Sequence, residues 1–148
     1  MVFLPNVLLE VISDYAGENE LLSWIVPEKI DWSELSRNPS AIHLLEKNPE
    51  KIVWENLSAN PSAIHLLEKN PEKIYWKNLS KNQAAIHLLE AEIANAEREK
   101  YPEKIDWEHL SGNPAAIHLL EKIPEKINWK WLSKNQAAIH LLEKNPEK

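Results

Sequence analysis

Histidines recur along this chain in a pattern that could bind a metal ion or respond to pH. Five of them follow an Ala-Ile pair and precede Leu-Leu-Glu, at His43, His65, His87, His118 and His140. Equivalent residues of stacked helices lie roughly 8–10 Å apart, whereas zinc–nitrogen bonds are about 2 Å long, so these imidazoles cannot share one ion. On a helical wheel the histidines lie opposite the apolar face. We interpret them as a solvent-exposed ladder, with a weak pH response as the alternative. His109 lies outside this pattern.

Tryptophans recur with the same regularity, and indole rings can stack on nucleic-acid bases or bind cations. The repeated positions are Trp32, Trp54, Trp76, Trp107 and Trp129. A large residue at the same place in every repeat is also suited to fill the space between helix layers, and we favour this core role. Trp24 and Trp131 are outside the repeated position, so we expect them to be partly exposed.

Composition excludes several functional classes. No serine, histidine and carboxylate spacing recurs as a nucleophile set, and the chain has two glycines, Gly17 and Gly112, which do not form a phosphate-binding loop. Without cysteine there is no thiolate metal site. We therefore predict no enzymatic activity, no cofactor and no metal site.

Charge and hydropathy argue against two kinds of partner, nucleic acids and membranes. Seventeen basic and 23 acidic side chains alternate within the repeats and give a net charge of −6, which argues against nucleic-acid binding. No apolar run approaches the roughly 20 residues that span a membrane. The first residues lack the pattern of a signal peptide, so we expect an intracellular protein.

The feature that positions these residues is an internal repeat. Pro-Glu-Lys-Ile occurs at Pro27, Pro49, Pro71, Pro102 and Pro124, and a shortened copy begins at Pro146, so the spacing is 22 residues except for one step of 31. A period of 20–50 residues is typical of solenoids, in which each unit buries its apolar face against its neighbours. The sequence predicts an all-α solenoid of short helix pairs.

Each repeat has a first segment that predicts a helix. Asn38-Pro39 combines a favoured N-cap with a proline at the first helical position, and the helix should end near Asn48 after about nine residues. The second segment, Ile-x-Trp-x-x-Leu-Ser, is more ambiguous. Asp31 and Asp106 are typical N-caps and favour a helix, whereas the alternation of Ile30 and Trp32 is compatible with a strand. The alternative fold is therefore a leucine-rich-repeat-like β/α horseshoe.

Two regions depart from the repeat. Residues 91–99 are inserted after Glu90, and their apolar spacing predicts that the preceding helix continues into a spur. Residues 1–26 do not follow the consensus, and we expect them to form an N-terminal helical cap. Residues 27–148 should form five repeats of one solenoid with that cap.

Partner binding is expected where the repeats differ, because the common positions hold the stack together. The variable positions lie immediately before each repeated tryptophan and two residues after it. We predict that a protein partner binds this variable stripe. Its residues are Asp31, Glu34, Val53, Asn56, Tyr75, Asn78, Asp106, His109, Asn128 and Trp131. A competing hypothesis is a structural component that self-associates through Ala91–Glu99 or through the C-terminal end.

Two family resemblances extend these expectations. The repeat resembles the NPxAIHLLEKNPEKIDW repeats of proteins from amoeba-infecting giant DNA viruses, over about 120 residues. That resemblance implies a viral protein in the cytoplasm of the host cell, with no catalytic residues. Residues 4–15, Leu-Pro-Asn-Val-Leu-Leu-Glu-Val-Ile-Ser-Asp-Tyr, resemble the first helix of an F-box, and repeat sequence replaces the later part of that motif. The F-box resemblance implies a third function, an adaptor to a ubiquitin ligase.

Overall fold

The computed structural model describes residues 29–95 and 103–148, which form ten short α-helices and contain no strand. Two kinds of helix alternate along the chain. The tryptophan helices begin at the repeated tryptophan and are α1 (Trp32–Arg37), α3 (Trp54–Leu57), α5 (Trp76–Leu79), α7 (Trp107–Ser111) and α9 (Trp129–Leu132). The histidine helices contain the repeated histidine and are α2 (Ile42–Lys47), α4 (Ile64–Lys69), α6 (Ile86–Asn95), α8 (Ile117–Lys122) and α10 (Ile139–Lys144).

Every histidine helix begins with a single 3₁₀ turn. In the first, the turn is Pro39–Ala41, and the side chain of Asn38 accepts a hydrogen bond of 3.0 Å from the backbone N–H of Ser40. Gln83 and Gln136 replace the proline in two copies, and the turn forms there too. The predicted helix start, N-cap and length are confirmed. They could be predicted because they depend on local backbone chemistry that each repeat carries in its own sequence.

Helix was also the correct choice for the second segment. The side chains of Asp31, Asp106 and Asn128 accept hydrogen bonds from backbone N–H groups in the first turns of α1, α7 and α9. These N-caps compensate for tryptophan helices of only one to two turns, which are too short to persist alone. The all-α class is confirmed, and the described ranges contain no strand of the kind that a horseshoe would require.

Three copies of the Pro-Glu-Lys block form a second 3₁₀ turn, at Pro49–Lys51, Pro71–Lys73 and Pro124–Lys126, which was not among the elements predicted from the sequence. The asparagine before the first of these turns ends the histidine helix, as predicted. Asn48 has a φ of −131°, outside the left-handed region, and its side-chain amide donates to the carbonyl of Leu44 at 2.9 Å.

The core contains leucine and alanine more than tryptophan. Completely buried leucines come from both kinds of helix, and they are Leu45, Leu57, Leu67, Leu79, Leu89, Leu110, Leu120 and Leu132. The repeated tryptophans pack against this core but remain partly exposed. The predicted core role is confirmed in that each repeated tryptophan packs against the core, but the rings are less deeply buried than residues that fill the space between helix layers would be. Each indole belongs to the first residue of a very short helix, so it lies at the edge of the helix layer.

Buried serines and asparagines join each repeat to the next. Ser58 donates its hydroxyl to the carbonyl of Trp54 at 2.8 Å and accepts the backbone N–H of Tyr75, in the next repeat, at 3.0 Å. Asn82 caps its own helix and donates to the carbonyls of Ser58 and Asn60 in the preceding repeat, at 3.1 and 3.0 Å. Ser36, Ser80, Ser111, Asn60, Asn113 and Asn135 repeat these contacts.

The insertion lengthens α6, as predicted, and the helix is described as far as Asn95. Ile93 packs against the core, and Glu92 forms an ion pair of 2.8 Å with Lys104 beyond the insertion. The remaining inserted residues, the N-terminal cap, Trp24 and the F-box-like segment lie outside the described residues. Within the described ranges, no helix has both the length and the apolar character needed to cross a membrane.

Candidate functional site

Four of the five ladder histidines contact the neighbouring repeat and are about half exposed, whereas His43 is half-buried, with its Nε2 atom buried. His65 Nε2 lies 2.8 Å from Glu46 Oε1, and the equivalent distance is 2.9 Å between His87 and Glu68. His118 and His140 make the same contact with Glu90 and Glu121. These side chains are about half exposed, so the pairs contribute little stability individually. Among residues 29–95 and 103–148, no three potential ligands are grouped so that they could hold a metal ion.

Three of the repeated tryptophans, Trp54, Trp76 and Trp107, have a lysine over the ring. Lys73 Nζ lies 4.7 Å from the ring centroid of Trp54, and Lys104 Nζ lies 4.4 Å from that of Trp76. Each of these lysines belongs to the Pro-Glu-Lys turn of the following repeat. The ring is thus held between the core and a lysine stem, which commits it to contacts between repeats and leaves it poorly placed to stack on a base.

The stripe positions before each tryptophan have two kinds of environment. Asp31, Asp106 and Asn128 are N-caps, so their polar atoms serve the helix that follows. Val53 and Tyr75 precede helices without a side-chain cap. Tyr75 is 52% exposed and offers the largest free side chain at this position.

Of the stripe positions after each tryptophan, Asn56 and Asn78 bond to the repeat before them. Asn56 is buried, accepts a hydrogen bond of 2.8 Å from Arg37 and donates to the carbonyl of Ser33 at 2.9 Å. Asn78 donates to the carbonyl of Glu55 at 2.6 Å. Glu34 is exposed and lies 3.8 Å from Arg37. The first three residues of this series therefore use their polar groups within the chain.

His109 and Trp131, the last two members of the series, lie together. Their ring centroids are 4.7 Å apart, with an angle of 46° between the ring planes. Trp131 also packs over Gly112, where an added Cβ would lie 3.3 Å from its Cε3 atom. The missing side chain of Gly112 is what lets the indole approach the preceding repeat.

A groove opens beside this aromatic pair, with a volume of about 220 Å³. It spans three consecutive repeats, and its residues are Lys81, Gln83, His109, Gly112, Asn113, Pro114, Trp131 and Lys134. Lys134 Nζ lies 4.6 Å from the centroid of the Trp131 ring. Of the ten predicted stripe residues, the structure brings His109 and Trp131 into this groove.

Asp106 fixes the orientation of His109. Its carboxylate accepts the backbone N–H of His109 at 3.0 Å and lies 2.7 Å from the ring atom Nδ1. Partial burial raises the pKa of Asp106, but the hydrogen bonds from the His109 backbone and ring outweigh it, and the net pKa lies below that of an ordinary aspartate. An ionised carboxylate only accepts hydrogen bonds, so Nδ1 carries a proton. The pair presents a positioned imidazole to the groove.

Sequence reasoning missed most of the groove. Lys81, Gly112 and Lys134 occupy the position after the repeated serine, where Arg37 and Ala59 stand in other repeats. Arg37 contacts Asn56 and Gly112 contacts Trp131, each pair being 19 residues apart, so residues at this position pair with the stripe of the next repeat. The variation among repeats at the position after the serine was therefore the sequence signal that could have identified these groove residues.

No protein-family model, curated protein or solved structure matches this chain. The geometry of the described residues is therefore the basis for assigning a function.

Proposed function

We propose that this protein is a non-enzymatic repeat scaffold that binds a protein partner through the variable second segments of its repeats. The observation that supports it best is the groove beside His109 and Trp131. The repeated residues are committed to contacts within the chain, whereas these two variable aromatic residues lie at an accessible concave surface. Aromatic side chains in such positions commonly dominate the binding energy of protein interfaces.

The scaffold itself is proposed to be an α-solenoid. Its support is that every described repeat boundary uses the same serine and asparagine contacts between one repeat and the next. A stack of this kind offers an extended surface along which successive second segments are aligned. Tyr75 is exposed on this segment and extends the proposed surface beyond the groove.

Selection from a random peptide-display library on the immobilised full-length chain tests the function. We expect the selected peptides to bind the wild type and to lose binding to the double variant H109A/W131A. The matched control is Lys69→Ala, which changes an exposed residue of α4 that belongs neither to the variable stripe nor to the groove. Circular dichroism of both variants reports whether the fold is retained.

Two results would contradict the proposal. One is a selection that enriches no peptide. The other is a set of peptides that bind H109A/W131A as tightly as they bind the wild type, which would place the interaction elsewhere.

Self-association is the second candidate, and the exposure of Ile139 favours it. Ile139 is 52% exposed, whereas Ile42, Ile64, Ile86 and Ile117 at the equivalent position are half-buried. An exposed isoleucine on α10 could pack against a second copy. Light scattering at micromolar concentration should then show a dimer that Ile139→Glu converts to a monomer, and a monomeric wild type excludes this candidate.

A further inference from the structure

The groove beside Trp131 has a charge opposite to that of the chain as a whole. Of the described residues that line it, Lys81 and Lys134 are basic and none is acidic. Asp106, which contacts His109, is not among the lining residues. On a chain of net charge −6, two lysines beside one concave surface form a local site of positive potential.

The two lysines differ in how they are held. Lys134 lies over the ring of Trp131, which fixes its stem beside the groove. Lys81 is exposed, and no carboxylate of the described residues forms an ion pair with it. An ammonium group has three donors and no acceptor. Both cations are therefore available to a ligand that supplies anionic oxygen atoms.

The side-chain amide of Asn113, in the wall of the groove, is not available to a ligand. Asn113 is buried, its oxygen accepts the N–H of Ala115, and its nitrogen donates to the carbonyl of Ser80. Its hydrogen-bonding groups are thus used within the chain, so recognition of a ligand falls to the lysines, His109, the exposed amide of Gln83 and the indole. This combination suits a carboxylate on a flexible apolar stem, since the stem can cover Trp131 while the oxygen atoms reach the lysines.

We propose that the groove binds an acidic peptide segment of a protein partner, with an aspartate or glutamate side chain between Lys81 and Lys134. This inference rests on the function proposed above and adds the chemistry of the partner. A peptide is favoured over a nucleic acid because a volume of about 220 Å³ accommodates one or two side chains. Binding to a nucleic-acid backbone instead requires a series of cations that follow successive phosphates.

The composition of selected peptides provides the test. Selection on the wild type should enrich aspartate and glutamate above the unselected library, and selection on K81E/K134E should reverse the preference toward lysine and arginine. Lys69→Glu, an exposed lysine on α4 outside the groove, is the matched control and should retain the acidic preference. Circular dichroism verifies the fold of each variant.

The affinities of an acidic peptide and of its neutral counterpart then measure how much the negative charge of the peptide contributes to binding. A selected peptide should bind roughly tenfold or more tightly than its asparagine or glutamine counterpart, as expected for hydrogen bonds between charged groups. The measurement is fluorescence anisotropy of the labelled peptide, with a labelled oligothymidylate of equal length as the comparison.

The outcomes separate the two proposals. Peptides that need Trp131 but show no acidic enrichment would overturn the acidic-segment inference and leave the scaffold function standing. Peptides that bind without any dependence on the groove would overturn both. Tighter binding of the oligothymidylate than of any selected peptide would also overturn the inference, because it would identify a nucleic acid as the ligand of these lysines.

Discussion

Replacing Asn82 with alanine should lower the free energy of unfolding by about 2–4 kcal/mol. The side chain of Asn82 is buried and makes three hydrogen bonds. Its oxygen accepts the N–H of Ala84, and the loss of such an N-cap costs about 1 kcal/mol. Its nitrogen donates to the carbonyls of Ser58 and Asn60, and buried acceptors left without a donor cost a further ~1–3 kcal/mol.

Urea unfolding, followed by tryptophan fluorescence and circular dichroism, measures this change. Gln83→Ala is the matched control, since Gln83 is the next residue and is exposed, and its variant should remain within about 0.5 kcal/mol of the wild type. Asn82→Asp should be less stable than Asn82→Ala, because it keeps the capping oxygen but directs a carboxylate at the two carbonyls. An Asn82→Ala variant as stable as the Gln83→Ala variant would refute the proposed role of this amide.

Three further predictions concern the assignment of faces, the packing at Gly112 and the pH dependence. Trp76→Ala should lower the free energy of unfolding by about 2 kcal/mol, which is less than the ~3–5 kcal/mol expected for a fully buried aromatic residue, because the ring is partly exposed. His87→Ala should lower it by under about 0.5 kcal/mol, because this histidine is exposed. Urea unfolding measures the stability of both variants. If the His87 variant were the less stable of the two, the histidines and not the tryptophans would face the core. Gly112→Ala should displace the Trp131 ring by a few tenths of an ångström and shift its indole N–H resonance, which an unchanged NMR spectrum would contradict. Asp106 has a lower pKa in the folded chain, so its contribution is present above about pH 4 and is lost as the pH falls through the folded pKa. Stability measured from pH 6 to pH 2 should fall less steeply for Asp106→Asn, and identical slopes would contradict this prediction.

Local signals allowed the helices to be predicted from the sequence. Asn38-Pro39 and Asp31 specify helix starts through hydrogen bonds to residues two or three positions away. The contacts between repeats were not predicted, because Ser58 and Asn82 bond to groups 17 to 24 residues away. Such a contact depends on the offset between layers, and the period alone does not define that offset.

The candidate site was predicted only in part for the same reason. Variation among repeats identified His109 and Trp131, but that argument compares equivalent residues and does not show which different positions meet in space. The groove depends on the meeting of Gly112 and Trp131 across a repeat boundary. The depth of Trp76 was misjudged because the length of α5, which places the indole at the edge of its layer, is set by tertiary packing.

The contacts around the insertion have a consequence for how this architecture can change in length. Asp106 and Asn113 bond to Ser80 across the insertion, just as Val53 and Asn60 bond to Ser36 where no residues are inserted. The separation in sequence between the asparagine and the serine grows from 24 to 33 residues, while the bond length changes only from 3.0 to 3.1 Å. The end of a histidine helix is thus a junction at which foreign sequence can be grafted without disturbing the register of the array. A reporter peptide or a small domain could be carried at this junction while the neighbouring repeats retain their pairing.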